Sequence, residues 1–176
     1  MWFPSNKYLE MLKEFEGYFC MPYLCPAGKC TIGYGTNLEA HREFIPYESI
    51  RNSKLVGREL MKELHNVGMF WGKDKAEEVM RAELVPTIRE LFDKIPAFSF
   101  LITNNEQVRA ECVLDMAYNM GANRLLDFNT TMKAIGSGRY NDAADAMTKS
   151  KWYKQVGRRG RTVVYAMRHN EWILQN

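Results

Sequence analysis

The sequence predicts a mainly helical α+β protein whose single small sheet lies near the N-terminus. Residues 19–24 and 30–34 suit extended chain and flank Pro26-Ala27-Gly28, a turn sequence, so they read as a hairpin. From residue 74 onward apolar residues recur at helical spacing. With 176 residues, 46% of them hydrophobic, the chain can fill one compact core of up to two lobes, and no second full domain is needed.

Taken in order, Ser5 is placed to cap a helix over residues 5–16 whose Tyr8, Leu9, Met11, Leu12 and Phe15 share one face. Lys7, Glu10, Lys13 and Glu14 fall opposite, but Glu16 lands inside the apolar arc. Desolvation and the negative end of the helix dipole both favour its protonated form, the state a general acid needs. Gly17 stops the helix, so the hairpin starts at the glutamate. Eight residues separate Glu16 from Cys25 and five separate Cys25 from Thr31, so a folded-back hairpin would bring the three side chains toward one spot.

Beyond the hairpin, residues 36–46 read as polar and irregular, and about 50–64 as one short helix. Asp74-Lys75-Ala76-Glu77 looks like a capping box opening a long helix through Val79, Leu84, Ile88 and Phe92, with a kink expected at Pro86. Residues 96–102 read as a loop. Thr103-Asn104-Asn105-Glu106 then offers a second capping box for a helix ending at Gly121, apolar on most sides and therefore a core helix. Short helices are expected after Asn129, Asn141 and Arg158, with Gly136-Ser137-Gly138 as a breaker.

The net charge of +3 is unevenly spread: residues 149–176 hold seven Lys or Arg and one acid, +6, so residues 1–148 sum to −3. A basic C-terminal surface attracts nucleic acid, membrane phosphates or anionic wall polymers alike, and a solvated helical face is the commoner meaning of such charges. The four cysteines are expected as reduced thiols, because a chain this apolar does not depend on a disulfide framework. His41, His65 and His169 show no ligand spacing, and no metal or other cofactor is implied. The first residues lack a signal peptide's basic and apolar regions, and no 18-residue apolar run occurs, so a soluble product in the cytoplasm is expected.

Helix-Glu16-Gly17, then Tyr23, Cys25-Pro26-Ala27-Gly28 and Thr31-Ile32-Gly33-Tyr34-Gly35, in this order, resemble the phage-type lysozymes, glycoside hydrolase family 24. The similarity resumes at Asn119-Met120-Gly121, Phe128, Ala143-Ala144, residues 150–155 and Arg159. It implies a lysozyme-like fold: an N-terminal lobe over about 16–73, a connecting helix over about 74–93, and a helical C-terminal lobe over about 94–176 packed with helix 5–16. Glu16 is then the general acid, with Cys25, where another branch carries Asp, and Thr31 completing a triad. The resemblance further implies Arg159 beside the glutamate and Tyr118, Asn119 and Thr131 on the cleft wall as substrate-binding residues. Thr36 stands where many relatives carry His.

The implied activity is hydrolysis of the β-1,4 bond between N-acetylmuramic acid and N-acetylglucosamine in peptidoglycan, leading to host lysis. The implied partner is the glycan strand, with no nucleic acid and no stable membrane insertion. A monomer would be made in the host cytoplasm and would reach the wall once a holin breaches the inner membrane. Two other readings compete: a lytic transglycosylase, which lets the sugar's own hydroxyl attack, and a non-enzymatic cationic peptidoglycan- or membrane-binding protein acting through residues 149–169.

Overall fold

The computed structural model describes residues 2–175. The chain divides into two compact units, one formed by the residues up to Phe15 with those from Leu84 onward, the other by Glu16–Glu83. α1 (Asn6–Glu16) is capped as its sequence suggests: the Ser5 hydroxyl accepts the Tyr8 N–H at 3.2 Å, and Tyr8, Leu9, Met11 and Leu12 are buried. Gly17, at φ +70°, ends it.

In the Glu16–Glu83 unit, β1 (Phe19–Leu24), β2 (Cys30–Gly33) and β3 (Thr36–Asn37) form an antiparallel sheet in that order. Leu24 lies opposite Cys30 and Tyr23 opposite Thr31, with a register shift before Phe19 reaches Gly33. Pro26 sits second in a tight turn closed by the Gly28 N–H on the Cys25 carbonyl, 2.8 Å. Two expectations fail here. The stretch 36–46 contains β3 and a 3₁₀ turn at Arg42–Phe44. The single helix expected over about 50–64 is two, α2 (Glu48–Arg51) and α3 (Gly57–Asn66). Ser53 explains the break: its hydroxyl donates to the Ile50 carbonyl at 2.7 Å and accepts the Leu55 N–H at 3.3 Å, local bonds that compete with a helix. Ile32, Leu38, Ile45, Leu60, Leu64 and Trp71 fill this unit's core.

α4 (Lys73–Lys94) opens one residue before Asp74, carries the chain from one unit into the other and continues through Pro86 without interruption. α5 (Pro96–Thr103) occupies the segment read as a loop. Its Pro96 is at the helix start, where a missing N–H costs nothing, and Ala97, Phe98 and Leu101 are buried. The second capping box does not form: the Thr103 hydroxyl donates back to the Ser99 carbonyl, and Glu106 precedes α6 (Gln107–Met120) with its carboxylate on Arg109. α6 is a core helix, buried continuously over residues 110–117. There follow α7 (Ala122–Leu125), α8 (Asn129–Gly136), α9 (Tyr140–Thr148), α10 (Lys151–Val156) and α11 (Arg158–His169). The short α7 and α10 were not expected. Ser150 caps α10 by accepting the Tyr153 N–H at 3.1 Å. Among the described residues, strands occur only between 19 and 37.

Two acids inside α6 escape its apolar reading. Glu111, fully buried, accepts the Ser5 N–H (2.6 Å), the Gln107 amide (2.8 Å) and the Trp172 indole N–H (2.7 Å). Asp115, also fully buried, takes both forks of Arg159 at 2.9 Å. These contacts tie the N-terminal segment, α6, α11 and the C-terminal tail to one another.

Candidate active site

Glu16, the last residue of α1, is half-buried. Its Oε2 lies 3.4 Å from the point a Cβ on Gly35 would occupy, and Gly35 is at φ +93°. The final glycine of Thr31-Ile32-Gly33-Tyr34-Gly35 thus brings bare backbone up to this carboxylate.

Cys25 begins the hairpin turn, its N–H donating to the Lys29 carbonyl at 3.0 Å. All four cysteines are free thiols; Cys30 and Cys112 are buried, whereas Cys20 and Cys25 are partly accessible. Burial raises the Cys25 thiol, but hydrogen bonds to its sulfur from the Lys29 and Ala27 N–H groups and the Thr31 hydroxyl outweigh it, so the thiol lies below its ordinary value. Cys30 behaves oppositely: burial, with the nearby Glu39 charge, pushes it up to about 11.

The buried Thr31 hydroxyl donates to the Lys29 carbonyl at 3.0 Å, the same carbonyl that accepts the Cys25 N–H. It carries one proton and two lone pairs.

Tyr23 lies opposite Thr31 in the sheet. Burial, then the charges of Cys25 and Glu16, raise its phenol above the usual tyrosine value, so its hydroxyl feels both groups. Its ring packs on Phe19 with centroids 4.2 Å apart. The sequence marked Tyr23 only as part of a motif.

Asn119, Thr131, Tyr118 and Arg159 belong to the helical unit. Asn119 and Thr131 line one groove of about 790 Å³, together with Phe128, Trp152 and Gln155. There the Asn119 side-chain oxygen accepts the Trp152 indole N–H at 3.0 Å, while Thr131 is buried. Tyr118, half-buried near the end of α6, is not part of that lining. Arg159 is only 8% exposed, held by Asp115 and stacked 5.1 Å from the Phe15 ring centre. It therefore does not contribute to a basic surface, and Arg168 pairs with Asp145 at 2.7 Å. Lys149, Lys151, Lys154, Arg158 and Arg161 are the exposed members of that group.

An acid at the end of α1, followed by a small sheet that carries a thiol and a hydroxyl, is compatible with a glycoside hydrolase. The phage lysozyme family model matches residues 13–170, and the chain belongs to that family. It is 23% identical over 168 residues to "Probable T4-type lysozyme 1" of Dictyostelium discoideum, covering 92% of this chain and 87% of that protein. It is 26% identical over 172 residues to the pre-baseplate central spike protein of Enterobacteria phage T4, covering 95% of this chain but 28% of the spike protein. The chain is a glycoside hydrolase of the lysozyme kind, with peptidoglycan as its substrate.

Proposed function

We propose that the chain cleaves the β-1,4 bond between N-acetylmuramic acid and N-acetylglucosamine by single displacement with inversion. Glu16 gives its proton to the leaving glycosidic oxygen as the bond to the anomeric carbon breaks. A water held by Cys25 and Thr31 attacks the opposite face of that carbon and releases its proton to this pair and thence to solvent. Glu16 then regains a proton from solvent. The observation that supports this reading is the turn at which the Lys29 carbonyl accepts both the Cys25 N–H and the Thr31 hydroxyl, each at 3.0 Å, in the hairpin that opens at Glu16.

Glu16→Gln tests it, because the amide matches the carboxyl in shape but has no acidic proton to give. A loss of roughly 10²–10⁴-fold in turnover, at unchanged folding, is expected. Wild-type clearance of purified cell walls by this variant would remove Glu16 from the mechanism.

The biological role that fits is host lysis by an endolysin, acting as a monomer made in the host cytoplasm and dependent on a holin for access to the wall. Among the described residues no helix is long and apolar enough to cross a membrane, which suits that dependence. Expression alone should leave cells intact, and lysis should follow once the inner membrane is permeabilised. Prompt lysis with that membrane intact would contradict the role.

A further inference from the structure

We propose that Glu39 is the positioning residue of the candidate active site, a carboxylate that locks the turn carrying the Cys25 and Thr31 hydrogen bonds onto the start of α3. Its side chain is 9% exposed. Oε1 accepts two peptide N–H groups, Gly57 at 2.8 Å and Cys30 at 3.0 Å, while Oε2 accepts the Lys29 ammonium at 2.9 Å. Its own N–H donates to the Asn37 side-chain oxygen at 2.9 Å, which fixes it just past β3.

α3 needs such a group from elsewhere, because Val56 at its N-cap has no side chain able to satisfy the first N–H groups. A carboxylate there also meets the positive end of the helix dipole. The helix start and the hairpin turn are closely apposed: a Cβ on Gly57 would lie 3.1 Å from the Gly28 carbonyl oxygen.

The connection to chemistry runs through Lys29. Its carbonyl accepts the Cys25 N–H and the Thr31 hydroxyl, each at 3.0 Å, and its own N–H is among the groups that lower the Cys25 thiol. Glu39 holds the side chain of that residue and the N–H of the next, and so brackets the peptide on which the pair is built. Burial raises the Glu39 carboxyl, but the Lys29 ammonium and the Cys30 and Gly57 N–H groups outweigh it and keep it below the usual carboxylate value. Without Glu39, two peptide N–H groups lose their acceptor and the turn is free to shift relative to α3. Sub-ångström displacement of water-holding groups lowers turnover more than affinity.

The inference rests on the reading of Cys25 and Thr31 as working residues, and its test has one readout that does not. In a Cys20→Ser background, Glu39→Ala and Glu39→Gln are compared on soluble peptidoglycan fragments and by the pH dependence of Cys25 alkylation with iodoacetamide. Tyr23 on β1 and Lys29 in the turn are the titratable neighbours common to every variant.

For Glu39→Ala we expect kcat to fall by roughly tenfold or more with KM within about threefold, and the alkylation midpoint to rise as the Lys29 N–H leaves the sulfur. Glu39→Gln keeps an oxygen for both peptide N–H groups and should retain most of kcat and the original midpoint. A Glu39→Ala protein with a lower melting temperature but unchanged kcat and midpoint would overturn the proposal. Should Glu39→Ala fail to fold, Glu39→Asp, one methylene too short to serve both N–H groups, takes its place with the same expected losses; wild-type values in it would also overturn the proposal. Full turnover by Glu16→Gln would instead sink the mechanism, and the alkylation midpoint would still report on Glu39.

Discussion

In the helical unit the buried carboxylates of Glu111 and Asp115 are gripped by groups 106, 61 and 44 residues away in sequence, whereas in the hairpin unit Glu39 is gripped by groups 9, 10 and 18 residues away. The partners differ in kind as well. The distant partners of Glu111 and Asp115 include the side chains of Arg159 on α11 and Trp172 in the C-terminal tail, and so join segments that meet only in the folded state. Glu39 takes two main-chain N–H groups and so fixes the path of a turn. An acid of the first sort serves stability; one of the second sort serves geometry, and Cys25 and Thr31, two of the groups proposed here for catalysis, flank the turn it fixes.

The comparison can be broken most forcefully from the helical side. Arg159→Ala leaves Asp115 buried without its bidentate partner, and a loss of about 3–5 kcal/mol in denaturant unfolding is expected. Replacing both partners with apolar residues, Asp115→Leu with Arg159→Met, should recover much of it. If Arg159→Ala unfolds like the wild type, this ion pair does not tie the helices.

On the hairpin side the next largest effect concerns Cys25. Cys25→Ala should lower turnover on purified peptidoglycan roughly tenfold, about the worth of one hydrogen bond to water. Cys25→Asp should keep substantial activity, because a carboxylate accepts the same bonds. Cys20, which lies in β1 away from the turn, should tolerate alanine better. Full activity in Cys25→Ala would leave Glu16 and Thr31 as the working groups.

The third effect is a pH dependence. Because the Glu39 carboxyl is held below its unfolded value, the stability it contributes is fully present above the unfolded carboxyl value, near pH 4.3. It is lost as pH falls through the depressed folded value. Unfolding followed from pH 6 downward should therefore show a smaller acid-induced loss in Glu39→Gln than in the wild type. Equal losses would mean that the carboxylate's charge contributes nothing there. Smallest of all should be Lys29→Met: the ammonium is 52% exposed, and surface pairs are worth about 0–1 kcal/mol. A larger loss would mean that Lys29, not the pair of N–H groups, is the principal partner of Glu39.

What could be read from the sequence follows the same division. The Glu16 to Gly35 stretch is a local pattern, a capped helix, a stop, two strands and a turn, and each step depends on neighbours in sequence. The hairpin strands β1 and β2 and the turn at Pro26 were therefore legible, whereas β3, within a stretch read as irregular, was not. Glu39 was not, because its partners at Cys30 and Gly57 are joined to it only once β3 and α3 have formed. Glu111 and Asp115 were hidden inside a helix read as apolar, since periodicity cannot tell which acid will find a partner in a distant tail. Elsewhere, residues 96–102 were read as a loop where Pro96 starts α5, and Thr103 as the cap of the next helix where its hydroxyl closes α5.

The most direct test of the central claim, that a Glu16-delivered proton and a water held by Cys25 and Thr31 hydrolyse the glycan strand, is mass spectrometry of the fragments that the wild-type chain releases from purified peptidoglycan. The account predicts disaccharide-peptide fragments ending in reducing N-acetylmuramic acid, and their disappearance with Glu16→Gln. Anhydro-muramyl ends would show that the sugar's own hydroxyl attacks instead of water, and the release of no fragments at all would contradict the activity itself.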